Sequence, residues 1–237
     1  MITPILLYEG KAKKVFATEN PDVILVQYKD SATAFNGAKQ DIIEGKGVLN
    51  NLFTSFFFEA LTKAGIENHF ISKISDREHL ARKVNIIPLE VIVRNVAAGT
   101  LAKRIGKDEG YVMKFPVIEC CYKNDALGDP MLNDDHILAM DLASEEDLTH
   151  IKKAALKVNQ ILGSFYKEYG LELIDFKLEF GKSNEGNILL ADEISPDTCR
   201  IWDLVSRQKF DKDVFRRDIA PLAETYLALA KRIGILF

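Results

Sequence analysis

Cysteine is scarce in this chain, with three in 237 residues and two of them adjacent, Cys120-Cys121. They build no disulfide framework, and with no Cys-x-x-Cys or Cys/His spacing they offer no zinc site. A reducing, cytoplasmic setting is the expectation. A surplus of basic charge is missing too: 31 Lys and Arg stand against 35 Asp and Glu, a net charge of −4. General nucleic-acid or membrane-surface binders carry an excess of Lys and Arg that neutralises phosphates, so neither class is expected. No apolar run approaches the roughly 20 residues of a membrane span. Met1–Leu7 has no basic start and meets Glu9, Lys11, Lys13 and Lys14 too soon for a secretory signal.

Several catalytic signatures are also lacking. There is no Walker A loop, since Gly45-Lys46-Gly47 does not complete one, and no dinucleotide-binding GxGxxG. The four histidines, His69, His79, His136 and His150, form no HExxH pair and read as surface or core fillers. Without GxSxG, covalent acyl-enzyme chemistry has no candidate. What is present is ordinary for a folded globular protein, 47% hydrophobic and 28% charged. At roughly 150 residues per domain the length allows one large domain or two modest ones with a cleft between them.

The first part of the chain reads as strands at 5–9, 13–17 and 23–29, an antiparallel meander punctuated by Gly10 and Glu19-Asn20-Pro21-Asp22, followed by strands at 69–74 and 81–86. One helix is inserted at about 47–64, where Val48, Leu49, Leu52, Phe53, Phe56, Ala60, Leu61 and Ala64 recur at helical spacing and Gly65 supplies a stop. The chain then crosses Ile86-Ile87-Pro88-Leu89, a hinge candidate, into a strand at 90–94, a short helix near 100–105 and a strand region at 117–122. This divides it into residues 1–86 and 87–237. Ser144 with Asp147 resembles a capping box ahead of the stripe Leu148, Ile151, Ala155, Val158, Leu162, Phe165 and Tyr169. The last helix spans about 213–233, with a kink or restart at Pro221.

Between those helices, strands at 171–180 and 187–195 are joined by the polar loop 181–186. The period of a strand puts Asp175, Lys177 and Glu179 on one face and Phe176, Leu178 and Phe180 on the other. With the loop centred between Glu185 and Gly186, Glu179 is expected directly opposite Asp192. Two facing carboxylates repel, and the repulsion is relieved by protonating one or by a divalent cation, for which oxygen ligands favour Mg²⁺; a solvated hairpin of alternating charge is the alternative. Asp197 and Arg200, close in sequence, offer either an anion grip or a simple ion pair across the proline turn. Gly10-Lys11-Ala12-Lys13 puts two ammonium groups on one face beside a flexible Gly, either a phosphate cover or a solvated turn. Gly99-Thr100 begins a helix whose N-terminus suits phosphate, while Lys103, Arg104 and Lys107 read equally as a solvated face.

The segments Tyr8–Lys13, Ile86–Asn95, Leu173–Gly181 and Asp192–Asp197 closely resemble the phosphoribosylaminoimidazole-succinocarboxamide synthase family, ligases that join a carboxylated aminoimidazole ribonucleotide to aspartate with ATP. The resemblance implies an α+β fold of two lobes, a small antiparallel β-rich lobe and a larger α/β lobe, with ATP between them, and a homodimer. It implies nucleotide contacts from Gly10, Lys11, Ala12, Lys13, Val15, Arg82, Ile86 and Lys123, with the adenine near 82–86. It places Arg94, Thr100, Asp129, Asp175, Lys177, Asp197 and Arg200 around the ribonucleotide, Mg²⁺ on Glu179 and Asp192, and catalytic roles on Lys177, Asp175 and Lys13. Members of the family often carry Asp at the position of Asn36 and Ser at that of Thr100; Thr keeps the hydroxyl, whereas Asn36 removes an anion.

Such a ligase would phosphorylate the substrate carboxylate and let the aspartate amine attack the acyl phosphate, with Lys11, Lys13 and Mg²⁺ offsetting charge and Asp175 holding the ribonucleotide or accepting the amine proton. A small-molecule kinase and a non-catalytic nucleotide sensor are the competing readings.

Overall fold

A computed structural model describes residues 5–235, apart from the side chain of Asn36. The reading of Met1–Leu7 therefore falls partly outside the described residues, and that of the Asn36 side chain wholly so. The chain opens with the expected meander, β1 (Leu6–Glu9), β2 (Lys13–Ala17) and β3 (Val23–Tyr28), antiparallel throughout. A short hairpin, β4 (Ser31–Ala34) and β5 (Lys39–Ile42), which strand periodicity does not announce, leads to α1 (Lys46–Lys63). Then β6 (Phe70–Lys73) and β7 (Glu78–Arg82) return to the first sheet, whose order is β1-β2-β3-β7-β6. β7 starts three residues earlier than the expected strand at 81–86, which in the structure is split into the end of β7 and β8 (Asn85–Ile86).

A second antiparallel sheet follows, built from β9 (Leu89–Val96), β10 (Val112–Tyr122), β11 (Met131–Leu132), β12 (Leu171–Lys182), β13 (Ile188–Ala191) and β14 (Cys199–Asp203), together with β8. β12 is its spine, pairing with β9, β13, β14 and β8. The helices are α2 (Gly99–Ile105), α3 (Asp134–Ala139), α4 (Glu145–Glu168), α5 (Asp213–Arg216) and α6 (Leu222–Arg232). The arrangement is α+β. The expected C-terminal helix is two helices, with α6 restarting at Pro221, where the missing N–H costs nothing.

Phe70 of the first sheet joins the main core under the second, while Val26, Tyr28 and Ala81 form a smaller cluster of their own. α1 presents Phe53, Phe57, Phe58 and Leu61, all fully buried, to the first sheet on one side and to α4 and α6 on the other. Burying each such Phe is worth about 2–3 kcal/mol. Gly47 permits this approach, because a Cβ there would lie 2.9 Å from the Tyr28 carbonyl. The α4 capping box is formed: the Asp147 N–H donates to Ser144 Oγ at 3.1 Å, and the Ser144 N–H to Asp147 Oδ2 at 3.3 Å. The helix's apolar stripe ends differently from expectation, with Tyr166 fully buried and Tyr169 36% exposed. The reason is tertiary: Tyr166 packs against Phe57 of α1, at 5.4 Å between ring centroids.

Candidate active site

Asp175 lies on β12 between two strands that each place an arginine opposite it, Arg94 on β9 and Arg200 on β14. Residues directly opposite one another share a face of a sheet. The side chains accordingly form a ladder, Arg94 Nη1 donating to Asp175 Oδ2 at 2.8 Å and Arg200 Nη1 donating to the same oxygen at 2.9 Å. Glu119 on β10 accepts from Arg94 Nε at 3.0 Å, and Asp213 accepts from Arg200 Nε at 3.1 Å. A β-bulge between Leu173 and Asp175 sets the phase of the strand beyond it, so that Phe176, Leu178 and Phe180 are buried while Asp175, Lys177 and Glu179 face the site. Gly99 at the start of α2 makes room for the ladder, since a Cβ there would meet Arg200 Nη2 at 2.7 Å.

The second cluster is centred on Lys177, whose Nζ lies 2.7 Å from Glu179, 3.1 Å from Glu90 and 3.4 Å from Asp192. Lys13, on β2 of the other sheet, pairs with Asp192 and sits 3.1 Å from Glu193, and Lys123 reaches Glu179 at 2.7 Å. The expected register is off by one. Glu179 faces Ala191, and Asp192 lies just beyond β13 with a left-handed backbone, φ 61°. A one-residue slip would send the carboxylate to the other face of the sheet; the left-handed turn at Asp192 ends the strand and delivers it to Lys177 all the same. Burial opposes the ionisation of Asp192, yet Lys13 and Lys177 outweigh it and hold its pKa far below the usual carboxylate range. Burial likewise works against the ammonium of Lys177, and Asp192, Glu179 and Glu90 raise its pKa well above the ordinary lysine value.

Both clusters open on one cavity of 410 Å³ lined by Lys11, Ala12, Arg94, Thr100, Asp175, Lys177, Asp197 and Arg200 among others. Lys11 and Lys13 part company: Lys13 turns inward, while Lys11 pairs with Asp125 at 2.8 Å at the exposed rim. Asp197 and Arg200 do not pair with each other either. The Asp197 carboxylate receives Lys46 of α1 and the Tyr226 hydroxyl of α6, each at 2.6 Å. Asp129 sits apart from the cavity lining, its carboxylate accepting from the Asn124 N–H at 2.8 Å. Gly10, Lys13, Val15, Arg82, Lys123, Glu179 and Asp192 also lie outside the lining, and Ile86 borders a separate groove of 370 Å³ with Pro88 and Lys182.

The family model for SAICAR synthetase matches residues 6–233, nearly the whole chain. This chain belongs to the SAICAR synthetase family. It is 59% identical over 229 residues to the phosphoribosylaminoimidazole-succinocarboxamide synthase of Anoxybacillus flavithermus, covering 97% of this chain and 95% of that one. Its fold matches the crystal structure of the Ehrlichia chaffeensis synthase with a TM-score of 0.95 at 44% identity, over 98% of this chain and 99% of that chain. It also matches a SAICAR synthetase in complex with ADP, with a TM-score of 0.93 at 46% identity, over 95% and 96% of the two chains.

Charged residues of this SAICAR synthetase family site that were not singled out from the sequence include Glu90, Glu119, Glu193, Lys46, Lys212, Asp213 and Arg216. Glu90 was legible, because the same period of two that links Asp175 to Lys177 puts it on the face of Arg94 along β9. Glu193 stands next to Asp192 and shares Lys13. Lys46 and Lys212 carry no local signal, since both reach Asp197 from elements remote in sequence. Among the described residues no group of three or more His, Cys, Asp and Glu is arranged to hold a metal ion by itself.

Proposed function

We propose that this chain is the ATP-dependent ligase that joins L-aspartate to the carboxylate of 5-amino-1-(5-phospho-D-ribosyl)imidazole-4-carboxylate in purine biosynthesis, releasing ADP and phosphate. The observation that carries the reading is the cavity with two separate ionic clusters on its wall in a member of this family. One cluster is an arginine ladder suited to a phosphorylated sugar; the other is a lysine and carboxylate cluster suited to a nucleoside triphosphate. The ADP complex of a related synthetase supports a nucleotide site. In this reading residues 1–86 and 87–237 are the two lobes, with the nucleotide under the turn Gly10–Lys13 and its base along Val15, Arg82 and Ile86.

A carboxylate does not condense with an amine in neutral water, so activation is needed. The γ-phosphoryl group passes to a carboxylate oxygen and ADP leaves; the aspartate nitrogen then attacks the acyl carbon, and phosphate departs with that oxygen and with the proton the nitrogen sheds. Lys13 and Lys177 are placed to offset charge on the phosphoryl oxygens, and Lys11 to close the rim. Arg94, Thr100 and Arg200 hold the ribonucleotide. Asp175 spends its lone pairs on two guanidinium groups, so it serves to aim them. Asp197, tied to Lys46 and Tyr226, braces the wall, and Asp129 braces the turn after Lys123.

Glu179 and Asp192 fit Mg²⁺ in the chemistry of their donors: two carboxylates joined through one ammonium, a hard-oxygen pair that Mg²⁺ takes together with substrate phosphates. When bound, the ion supplies charge neutralisation at those phosphates. Product analysis tests the whole reading. ADP release that requires both ribonucleotide and aspartate is expected, with Glu179→Gln and Asp192→Asn each losing at least about a hundredfold in turnover and shifting the Mg²⁺ dependence. Phosphate transfer to a hydroxyl without amide formation would instead mark a kinase, and unchanged metal dependence in both variants would remove these residues from the metal site.

A further inference from the structure

α1 buries polar side chains as completely as its phenylalanines. Lys46, Asn50, Asn51, Thr54 and Ser55 are all at most 5% exposed, and burying a hydroxyl or an amide is costly unless a partner satisfies it. Two of these side chains lead to the same residue of β3. The Thr54 hydroxyl accepts from the Tyr28 hydroxyl at 3.1 Å. Asn51 spends its amide N–H groups on the carbonyls of Ser75 and Asp76, at 3.1 and 3.0 Å, so its Oδ1 accepts from His79 Nδ1 at 2.9 Å. The His79 ring in turn packs on that of Tyr28, at 5.7 Å between centroids. α1 thus fixes Tyr28 both by its hydroxyl and by the ring beside it.

The same ring meets the ammonium of Lys13. Tyr28 lies directly opposite Lys13 in the pairing of β2 with β3, which puts both side chains on one face of the sheet. Lys13 Nζ stands over the ring, 5.5 Å from its centroid, within range of a cation–π attraction. Thr54 extends the connection, because its own proton goes to the Ile194 carbonyl at 3.4 Å. Ile194 follows Asp192 and Glu193, the two carboxylates that Lys13 faces. One buried side chain therefore touches the ammonium and, through Thr54, the turn that carries its counter-ions. Burial holds the Tyr28 hydroxyl well above the ordinary phenol pKa and His79 well below the ordinary imidazole value, so both are neutral and neither repels Lys13.

We infer that Tyr28 is a positioning residue for Lys13, holding the ammonium where the phosphoryl oxygens of the nucleotide arrive. The inference rests on the ligase reading above. A lysine side chain is long and flexible, and the carboxylate it pairs with, Asp192, is assigned to Mg²⁺ in that reading. An aromatic face has no such second use: it attracts the cation without competing for metal or phosphate. It therefore keeps Lys13 in place while Asp192 changes partner.

A double-mutant cycle read by calorimetric binding of ADP with Mg²⁺ tests this, because a residue that acts through Lys13 loses its effect once Lys13 is gone. Tyr28→Leu is expected to raise the ADP Kd and to lower kcat by about tenfold each. Tyr28→Phe keeps the ring and should stay within about threefold, with the KM for ribonucleotide within about twofold in both variants. In a Lys13→Met background, Tyr28→Leu should change the ADP Kd by less than about twofold. An unchanged ADP Kd in Tyr28→Leu would overturn the inference. So would equal losses for Leu and Phe, or a loss that persists without Lys13, since either would mean that Tyr28 serves only the fold. Should Tyr28→Leu melt early, Thr54→Val carries the cycle, with an ADP Kd raised about threefold beside Lys13 and unchanged in its absence; the same Kd change in both backgrounds, or none in either, would overturn the inference. Absence of aspartate-dependent ADP release by the unaltered chain would sink the ligase reading on a separate readout, with the ADP cycle still deciding what Tyr28 does.

Discussion

The two halves of the cavity wall are built by different means. The Arg94–Asp175–Arg200 ladder follows from strand pairing alone: three adjacent strands in register put three side chains side by side, and each arginine has a further carboxylate behind it. The Lys177 cluster draws on both sheets and on a loop, and it depends on one residue, Asp192, in a left-handed conformation. A ladder set by register has little freedom to move. A cluster of ammonium groups bridging two sheets has the means to exchange carboxylate partners for phosphate oxygens, as the proposed nucleotide site requires. A buried ion pair is weak evidence for stability but strong evidence that removing one member will be costly.

The largest effect should come from breaking the Lys177 half. Lys177→Met leaves Glu90, Glu179 and Asp192 facing one another with a single bridge gone, and is expected to destabilise the chain by about 3 kcal/mol in urea denaturation. Turnover should fall by at least about a thousandfold, because the same ammonium is assigned to the phosphoryl oxygens. A variant of wild-type stability would show that the carboxylates are relieved by other means and that the cluster is not a unit.

Asp175→Asn should do less, and in a different parameter. The amide still accepts from one arginine, so the sheet survives, but two guanidinium groups lose their shared counter-ion. A rise of about tenfold in the KM for ribonucleotide with a smaller change in kcat is the expected outcome of losing a charged hydrogen bond. A fall in kcat alone, with KM unchanged, would contradict the division of labour between ladder and cluster.

The smallest effect on activity goes with a pH dependence of stability that belongs to the ladder half. Asp211 accepts from the Ile201 N–H of β14 at 3.0 Å and from the Asp213 N–H at 2.8 Å. Its carboxyl is pushed up to about 7 by burial and by Asp213, against about 4 in the unfolded chain. A raised carboxyl pKa means that the folded chain holds its proton longer, so this group lowers stability progressively as pH rises from about 4 to about 7, and not beyond. The buried histidines act in the opposite direction, with His69 brought down to about 4 mainly by burial. The informative measurement is therefore the stability difference between the unaltered chain and Asp211→Asn across pH 4 to 8. It should slope within that window, and a flat difference would mean that Asp211 titrates as an ordinary carboxylate.

What could be read locally is clear from particular residues. The period of two on β12, the helical spacing and Gly stop of α1, and the Ser144 cap each depend on neighbours within a few positions, and each is present. β4 and β5 escaped because Ala32 and Ala34 are buried by what covers them rather than by being large or branched, and Lys39–Ile42 is polar and mostly exposed. The register of β13 escaped because alternation fixes faces only while the strand continues, and Asp192 ends it.

The sequence by itself determined which faces of the strands and helices are apolar and which charged residues share the face of Asp175, since both follow from the geometry of a single element. It also determined the family, through segments long enough to be specific. Only the tertiary structure decided which opposite charges meet. Lys13 with Asp192, Lys46 with Asp197 and Arg200 with Asp213 each join elements that no local period connects. The physical reason is that a buried charge takes whichever counter-ion the packing of other elements brings within about 3–4 Å, and that packing is a property of the whole core.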